Sequence, residues 1–337
     1  MPSLGRFPNR HVHTLKTHHG PVNTVTFSSY PGTYVLTGSS DRAIHLSRAL
    51  PSSNSNSVAE TIQPIQRYEA HGYSVLDIAV SADNARFTSV GGDRQVFLWD
   101  VEQGSTVRRW TGHLSRVEAV QFAGEGDSVV VSGSADTTIN LWDTKSNSTK
   151  PIQSLTDATD TVSSLHVHAP THSIASGSYD GKVRIYDLRM GQATVDVIAH
   201  PVTSVRCSAD GHAVLVSSLD GRIRMLDRTN GKLLKAFGGD DQIERLGQQR
   251  YLNKSLRIRS VFAQGGAVVL AGSEAADIEK KQSTSQASVF AWDVLSGENI
   301  ATIAAGDGVK AVSCVSWNEK GGCWASACAD GTVKVYS

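Results

Sequence analysis

One unit recurs every forty-odd residues along this 337-residue chain, and it limits the possible folds more than any other feature. Its clearest copy runs from Gly112 to Asp143. Gly112-His113 leads into an alternating stretch, Val117 to Phe122. A turn carrying Gly124 and Gly126 precedes a second apolar run, Val129 to Val131. Ser132, a turn ending in Asp136, and Ile139-Asn140-Leu141-Trp142-Asp143 complete it. Period-two alternation broken by Gly, Ser and Asp is the pattern of short strands joined by tight turns. A single copy cannot bury its apolar face, so copies must stack. That outranks chain length, which alone would suggest about two domains.

Seven variants of the unit follow one another. The first has strands at Val22–Phe27 and Tyr34–Leu36, but Ser47-Arg48 stands where Trp-Asp is expected. The second carries His71, Val75–Val80, Ser89, Asp93 and Trp99-Asp100, and the third is the copy above. The fourth has Val162–Val167, Ser176, Asp180 and Tyr186-Asp187, without a histidine at the expected place. The fifth has His200, Val202–Cys207, Asp220 and Leu226-Asp227. A stretched sixth copy has strands near Ile258–Ala263, Val268–Ala271 and Val289–Asp293, and the seventh runs from Val312 to Tyr336. The turn aspartates Asp93, Asp136, Asp180 and Asp220 lie 43, 44 and 40 residues apart. Segments 49–65, 238–257 and 274–286 read as polar insertions. Residues 1–10 read as a disordered lead, and 11–337 as one closed array.

A period near forty with about four short strands per copy is the signature of a propeller blade. With its Trp-Asp endings the chain resembles the WD-repeat family over almost its whole length. The resemblance implies an all-β, seven-bladed WD-repeat β-propeller. The last copy supplies only three strands, and an edge strand at 11–16 lacks a partner. The N-terminal strand is therefore expected to complete the last blade and close the ring, removing an exposed sheet edge. In the family, one His, Ser/Thr, Asp and Trp per blade form a hydrogen-bonded set. Here His71, Ser89, Asp93 and Trp99, and His113, Ser132, Asp136 and Trp142, match it fully. Because the trio of His, Ser and Asp recurs blade after blade, it reads as structural rather than hydrolytic.

Composition narrows the function. Lys+Arg and Asp+Glu both number 32 and the pI is near 7.2. A protein built to hold nucleic-acid phosphates is normally clearly basic, so direct nucleic-acid contact is disfavoured. Cys207, Cys314, Cys323 and Cys328 fit no zinc spacing and read as reduced core thiols. The N-terminus lacks a signal-peptide core, and no apolar run reaches the roughly 18 residues of a membrane helix. The expected setting is nucleus and cytoplasm, with no membrane, no cofactor and no metal, and the expected state is a monomer.

Partners are sought on one rim, where loops enter each first strand and turns join the second and third strands. Tyr73, Arg94, Arg116, Tyr179, Lys182 and Arg222 flank those turns, and Arg and Tyr are enriched in interface hot spots. Both sixth-copy insertions should project on this side. From Lys182 to Lys235 nine Lys/Arg face five Asp, a bias towards an acidic or phosphorylated partner. Tyr186-Asp187-Leu188-Arg189 looks like the box of WD-repeat substrate receptors of cullin ubiquitin ligases, which would give Arg189 an adaptor contact. Several passages go beyond the generic repeat. They are 71–77, Gly91-Gly92-Asp93 through Trp99-Asp100, 186–192 and Val216-Ser217-Ser218-Leu219-Asp220. In that order they resemble the mitogen-activated protein kinase organiser group of WD-repeat scaffolds. That resemblance implies a non-enzymatic scaffold whose partners are spliceosomal proteins and kinase-module components. The cullin receptor is the alternative.

Overall fold

The computed structural model describes residues 7–50, 63–239, 250–276 and 286–337. Among them are seven antiparallel sheets of four strands each. Blade 2 shows the plan: inner strand Val75–Val80, then Arg86–Gly91, Gln95–Asp100 and outer strand Thr106–Thr111. Each inner strand packs against the inner strands of both neighbouring blades. The series returns from Val312–Asn318 of blade 7 to Val22–Phe27 of blade 1, so the ring is closed. The all-β seven-bladed propeller follows directly.

Closure works as the sequence indicates. The N-terminal strand His11–Leu15 pairs antiparallel with Val333–Tyr336 and forms the outer strand of blade 7. The ordered chain begins earlier than expected, however. Phe7 is buried against Trp317 and Trp324, and the Trp324 indole donates to the Pro8 carbonyl at 2.8 Å. Residues 7–10 thus belong to the ring and not to a disordered lead, because Phe7 fills space that Trp324 leaves in the blade 6–7 cluster. Residues 1–6 lie outside the described residues, as do 51–62, 240–249 and 277–285 within the three insertions.

The core is not one mass but seven sandwiches, each between neighbouring blades. Between blades 2 and 3, for example, Val90, Val96, Leu98 and Trp110 meet Val117, Val120, Val130 and Trp142. Tight spacing there demands a missing side chain. A Cβ on Gly177 would sit 2.5 Å from Val202 Cγ1 of the next blade, so glycine lets the sheets approach.

One irregularity positions everything that follows. The register shifts at the second residue of six inner strands, at Asn23, Leu76, Glu118, Ser163, Thr203 and Ser313. A β-bulge leaves its extra residue out of the ladder and re-aims it. Bulge side chains latch blade to blade: Asn23 Nδ2 donates to the Val75 carbonyl at 2.7 Å, and Ser313 Oγ to that of Val22 at 2.8 Å. The bulge carbonyls of Leu76, Glu118 and Ser163 face the central channel.

Candidate protein-binding rim

The polar sets of blades 2 and 3 are complete. The Trp99 indole donates to Ser89 Oγ at 2.8 Å, Ser89 lies 2.7 Å from His71 Nε2, and His71 Nδ1 lies 2.7 Å from the Asp93 carboxylate. The acidic end fixes the polarity: Nδ1 carries the proton for Asp93, so Nε2 accepts from the serine. In blade 3 the same chain runs from Trp142 through Ser132 and His113 to Asp136, at 2.8, 2.7 and 3.0 Å. Burial alone would raise the Asp136 carboxyl. Hydrogen bonds from His113, from Thr138 and from the Leu114 amide outweigh it and hold the group well below the usual carboxylate range. Both serine hydroxyls are fully buried between an indole and an imidazole, so no substrate can reach them. These residues staple loop to turn.

Other blades hold the turn aspartate by different means. In blade 1, His18 binds Asp41 at 2.9 Å and Thr37 at 2.8 Å, while His45 stacks on His18 at 4.0 Å. Ser47 cannot replace the indole, and its buried hydroxyl has no partner among the described residues. In blade 4, where histidine is missing, Arg184 pairs with Asp180 at 2.7 Å. In blade 5, Arg224 pairs with Asp220, and His200 stands 3.9 Å away, half exposed. The expected role of His200 thus passes to Arg224. The signal was available: arginine follows the turn aspartate by four residues in both blades.

The rim where inner strands begin carries six of the seven candidate contact residues. Tyr73 is exposed, as is Leu114 beside it in sequence order on the next blade. Arg94 sits in a left-handed turn with φ 64°, and Lys182 and Arg222 are half-buried. Arg116 is more than half exposed, yet its guanidinium holds Glu118 at 2.5 Å. Tyr179 is half-buried; burial raises its hydroxyl pKa, against the opposing pull of Arg257. Arg189 is not with them. It lies past the end of strand Lys182–Asp187, on the opposite rim, with its amide donating to Asp187 Oδ1 at 2.8 Å.

The described ends of the two blade 6 insertions lie on the first rim and touch. Glu274 accepts from the amides of Lys254, Ser255 and Leu256 at 3.0, 2.8 and 2.7 Å. Residues 250–257 are tied to the ring at particular points, although Arg250, Lys254, Ser255 and Leu256 remain exposed. Tyr251 is buried against Phe290 and Trp292, and Asn253 donates to Thr203 at 3.1 Å. Arg257 crosses the channel, donating to the bulge carbonyls of Leu76 at 2.8 Å, Ser163 at 3.0 Å and Glu118, and pairing with the Glu118 carboxylate at 3.2 Å. Below it, Arg259 pairs with Asp77 at 2.6 Å and donates to Leu76 at 3.0 Å. Neither arginine falls on the repeat pattern, so the periodicity is blind to both.

Between blades 5 and 6 this rim holds a pocket of about 320 Å³. Among the described residues, His200, Arg222, Arg224, Arg250 and Lys254 line it together with the carboxylate of Asp220. Arg224 is paired with Asp220, and Arg222 and Arg250 also have partners, while the exposed Tyr73 and Leu114 stand on blades 2 and 3 of the same rim. Among the described residues, no group of three or more His, Cys, Asp or Glu is placed to hold a metal ion.

Comparison with known proteins agrees with the architecture. Residues 74–250 match the model of the nucleolar protein 10-like N-terminal domain, and residues 9–46 and 297–337 match the WD domain, G-beta repeat. WD repeat domain-containing protein 83 of Rattus norvegicus is 34% identical over 308 residues, covering 91% of this chain and 86% of that protein. The WD repeat domain-containing protein 83 homolog of Dictyostelium discoideum is 24% identical, covering 86% and 87%. DDB1- and CUL4-associated factor 5 of Homo sapiens is 28% identical over 40% of this chain, but only 14% of that protein is covered. The seven blades, their stapled turns and these matches together place the chain in the WD-repeat β-propeller family.

Proposed function

We propose that the protein is a non-enzymatic scaffold that gathers other proteins on the rim where its inner strands begin. The observation carrying this reading is that exposed Tyr73, Leu114 and Arg116 share one rigid face with a pocket lined by Arg222, Arg224, Arg250 and Lys254. Rigid aromatic and arginine anchors on a face that also carries an arginine- and lysine-lined pocket suit an acidic or phosphorylated protein surface. The recurring His-Ser-Asp sets leave no accessible nucleophile, which supports a binding role over a catalytic one. The resemblance to the kinase-organiser group directs the proposal to spliceosomal proteins and kinase-module components, with the scaffold a monomer in nucleus and cytoplasm. Affinity purification with mass spectrometry tests it. Recovery of those assemblies with wild type, and their loss with a Tyr73→Ala, Arg116→Glu double variant that still melts normally, is the expected result.

A second reading has its own observation. Leu188, Arg189 and Met190 are all exposed on the opposite rim, following the Tyr-Asp of blade 4. Together with the partial similarity to DDB1- and CUL4-associated factor 5, this supports a substrate receptor of a cullin-type ligase. Under that reading, Arg189→Ala abolishes co-purification of the cullin adaptor. Absence of the adaptor from wild-type eluates removes it.

A further inference from the structure

The channel's three central arginines are not equally provided for. Arg257 has Glu118 and three carbonyls, and Arg259 has Asp77, Thr24 Oγ1 at 3.2 Å and Leu76. Asp77 is itself fully occupied, since its second oxygen accepts from the Val120 amide at 3.1 Å. Arg206, near the end of inner strand Val202–Cys207, has neither: among the described residues it donates no hydrogen bond and pairs with no carboxylate. Burial, and then the neighbouring Arg259 guanidinium, lower its hold on its proton. Beside it, His166 is kept neutral, first by burial and next by Arg206, and accepts from the Cys207 amide at 3.2 Å. Arg206 is half-buried, and its guanidinium faces the solvent of the channel with no protein partner among the described residues, so its donors are available to a ligand.

Arg206 and Arg259 line a cavity of about 350 Å³ where the inner strands end, with Thr26, Gln121 and Ser316 adding polar groups to its wall. Its carboxylate, Asp127, accepts from the Ala82 amide at 2.6 Å and pairs with neither arginine among the described residues. Arg257 crosses the channel nearer the other rim, so this cavity is separate from the pocket between blades 5 and 6. We infer that the channel floor is a binding site for a small oxyanion, a phosphate group or a carboxylate, held by Arg206 and Arg259. A planar guanidinium fork is suited to two-point contact with such groups. The site does not depend on the scaffold reading, and either can fail alone.

Inorganic phosphate and acetate, titrated calorimetrically against the full chain at constant ionic strength, distinguish the two sources of oxyanion. Saturable binding of at least one is expected. Arg206→Met should raise its dissociation constant about tenfold or more, the weight of one charged hydrogen-bonding group. The same variant should melt no lower than wild type in phosphate-free chloride buffer, because a charge that repels Arg259 and makes no protein hydrogen bond among the described residues has been removed. Arg206→Gln serves as the second variant. Arg222→Gln with Lys254→Gln, on the other rim, should leave binding unchanged. Absence of saturable binding of both anions, binding undiminished by the Arg206 variants, or binding lost in the rim variant would each overturn the inference.

Discussion

Asp136 shows how a single residue can be both essential and uninformative about partners. It accepts from His113, from Thr138 and from two backbone amides, so its charge is spent inside its own blade. Asp136→Ala leaves His113 Nδ1 without its acceptor and should cost about 1–3 kcal/mol, read as a lower melting temperature with the partner set retained. Two histidines give a second residue-level expectation. Burial, then His18 and Arg67, lower His45 to about 3, and burial, then Arg206 and His168, lower His166 to about 3. Between the ordinary imidazole value of about 6.5 and that depressed value, the unfolded chain binds protons that the folded chain refuses. Stability should therefore be full above about pH 6.5 and fall steadily on acidification. Below about pH 4 the lowered carboxyls of Asp41, Asp136, Asp180 and Asp220 add to the loss, because their stabilisation needs the charged form. Melting temperatures of wild type and of a His45→Phe, His166→Asn variant from pH 7.5 to 4.5 check this: the variant's slope should be flatter.

At the level of strands and loops, the repeat made the regular parts readable and hid the exceptions. Trp-Asp endings and alternating apolar runs located the blades because each blade solves the same burial problem with the same period. Arg184 and Arg224 escaped notice because they meet the turn aspartate's need from a different position, the third strand, rather than from the entering loop. Arg257 escaped because its partners are the bulge carbonyls of three blades far away in sequence, and bulges leave no compositional mark. The candidate rim fared similarly. Tyr73, Arg116 and Arg222 were legible from turn placement, whereas Arg250 and Lys254 lay within a segment that reads as a polar loop. The buried pair of Arg259 and Asp77 supplies the prediction for these elements. Asp77→Ala removes the carboxylate that balances Arg259, and a broken buried pair costs about 3–5 kcal/mol. Denaturant unfolding should show the midpoint falling, and replacing Arg259 by Met in the same chain should recover part of the loss.

The molecule as a whole is a ring whose last sheet needs its first strand. His11–Leu15 completes blade 7, and Phe7 seals the cluster between blades 6 and 7. Removing residues 1–17 exposes the edge Val333–Tyr336 and should lower the melting temperature of the entire ring in one transition, with aggregation following. Such a ring leaves two faces for function. One carries exposed aromatic and basic groups, and the other carries Arg189 and the mouth of the arginine-lined cavity. Rigidity between them comes from the latches at the inner strands and from Arg257 spanning the channel.

The central claim, that partners dock on the rim where the inner strands begin, is tested most directly by quantitative affinity capture with three equally folded proteins. These are wild type, the Tyr73→Ala, Arg116→Glu rim variant, and the opposite-rim variant Arg189→Ala. The account predicts that the rim variant loses the captured protein set while Arg189→Ala keeps it. An undiminished set with the rim variant, or its loss with Arg189→Ala alone, would contradict the account.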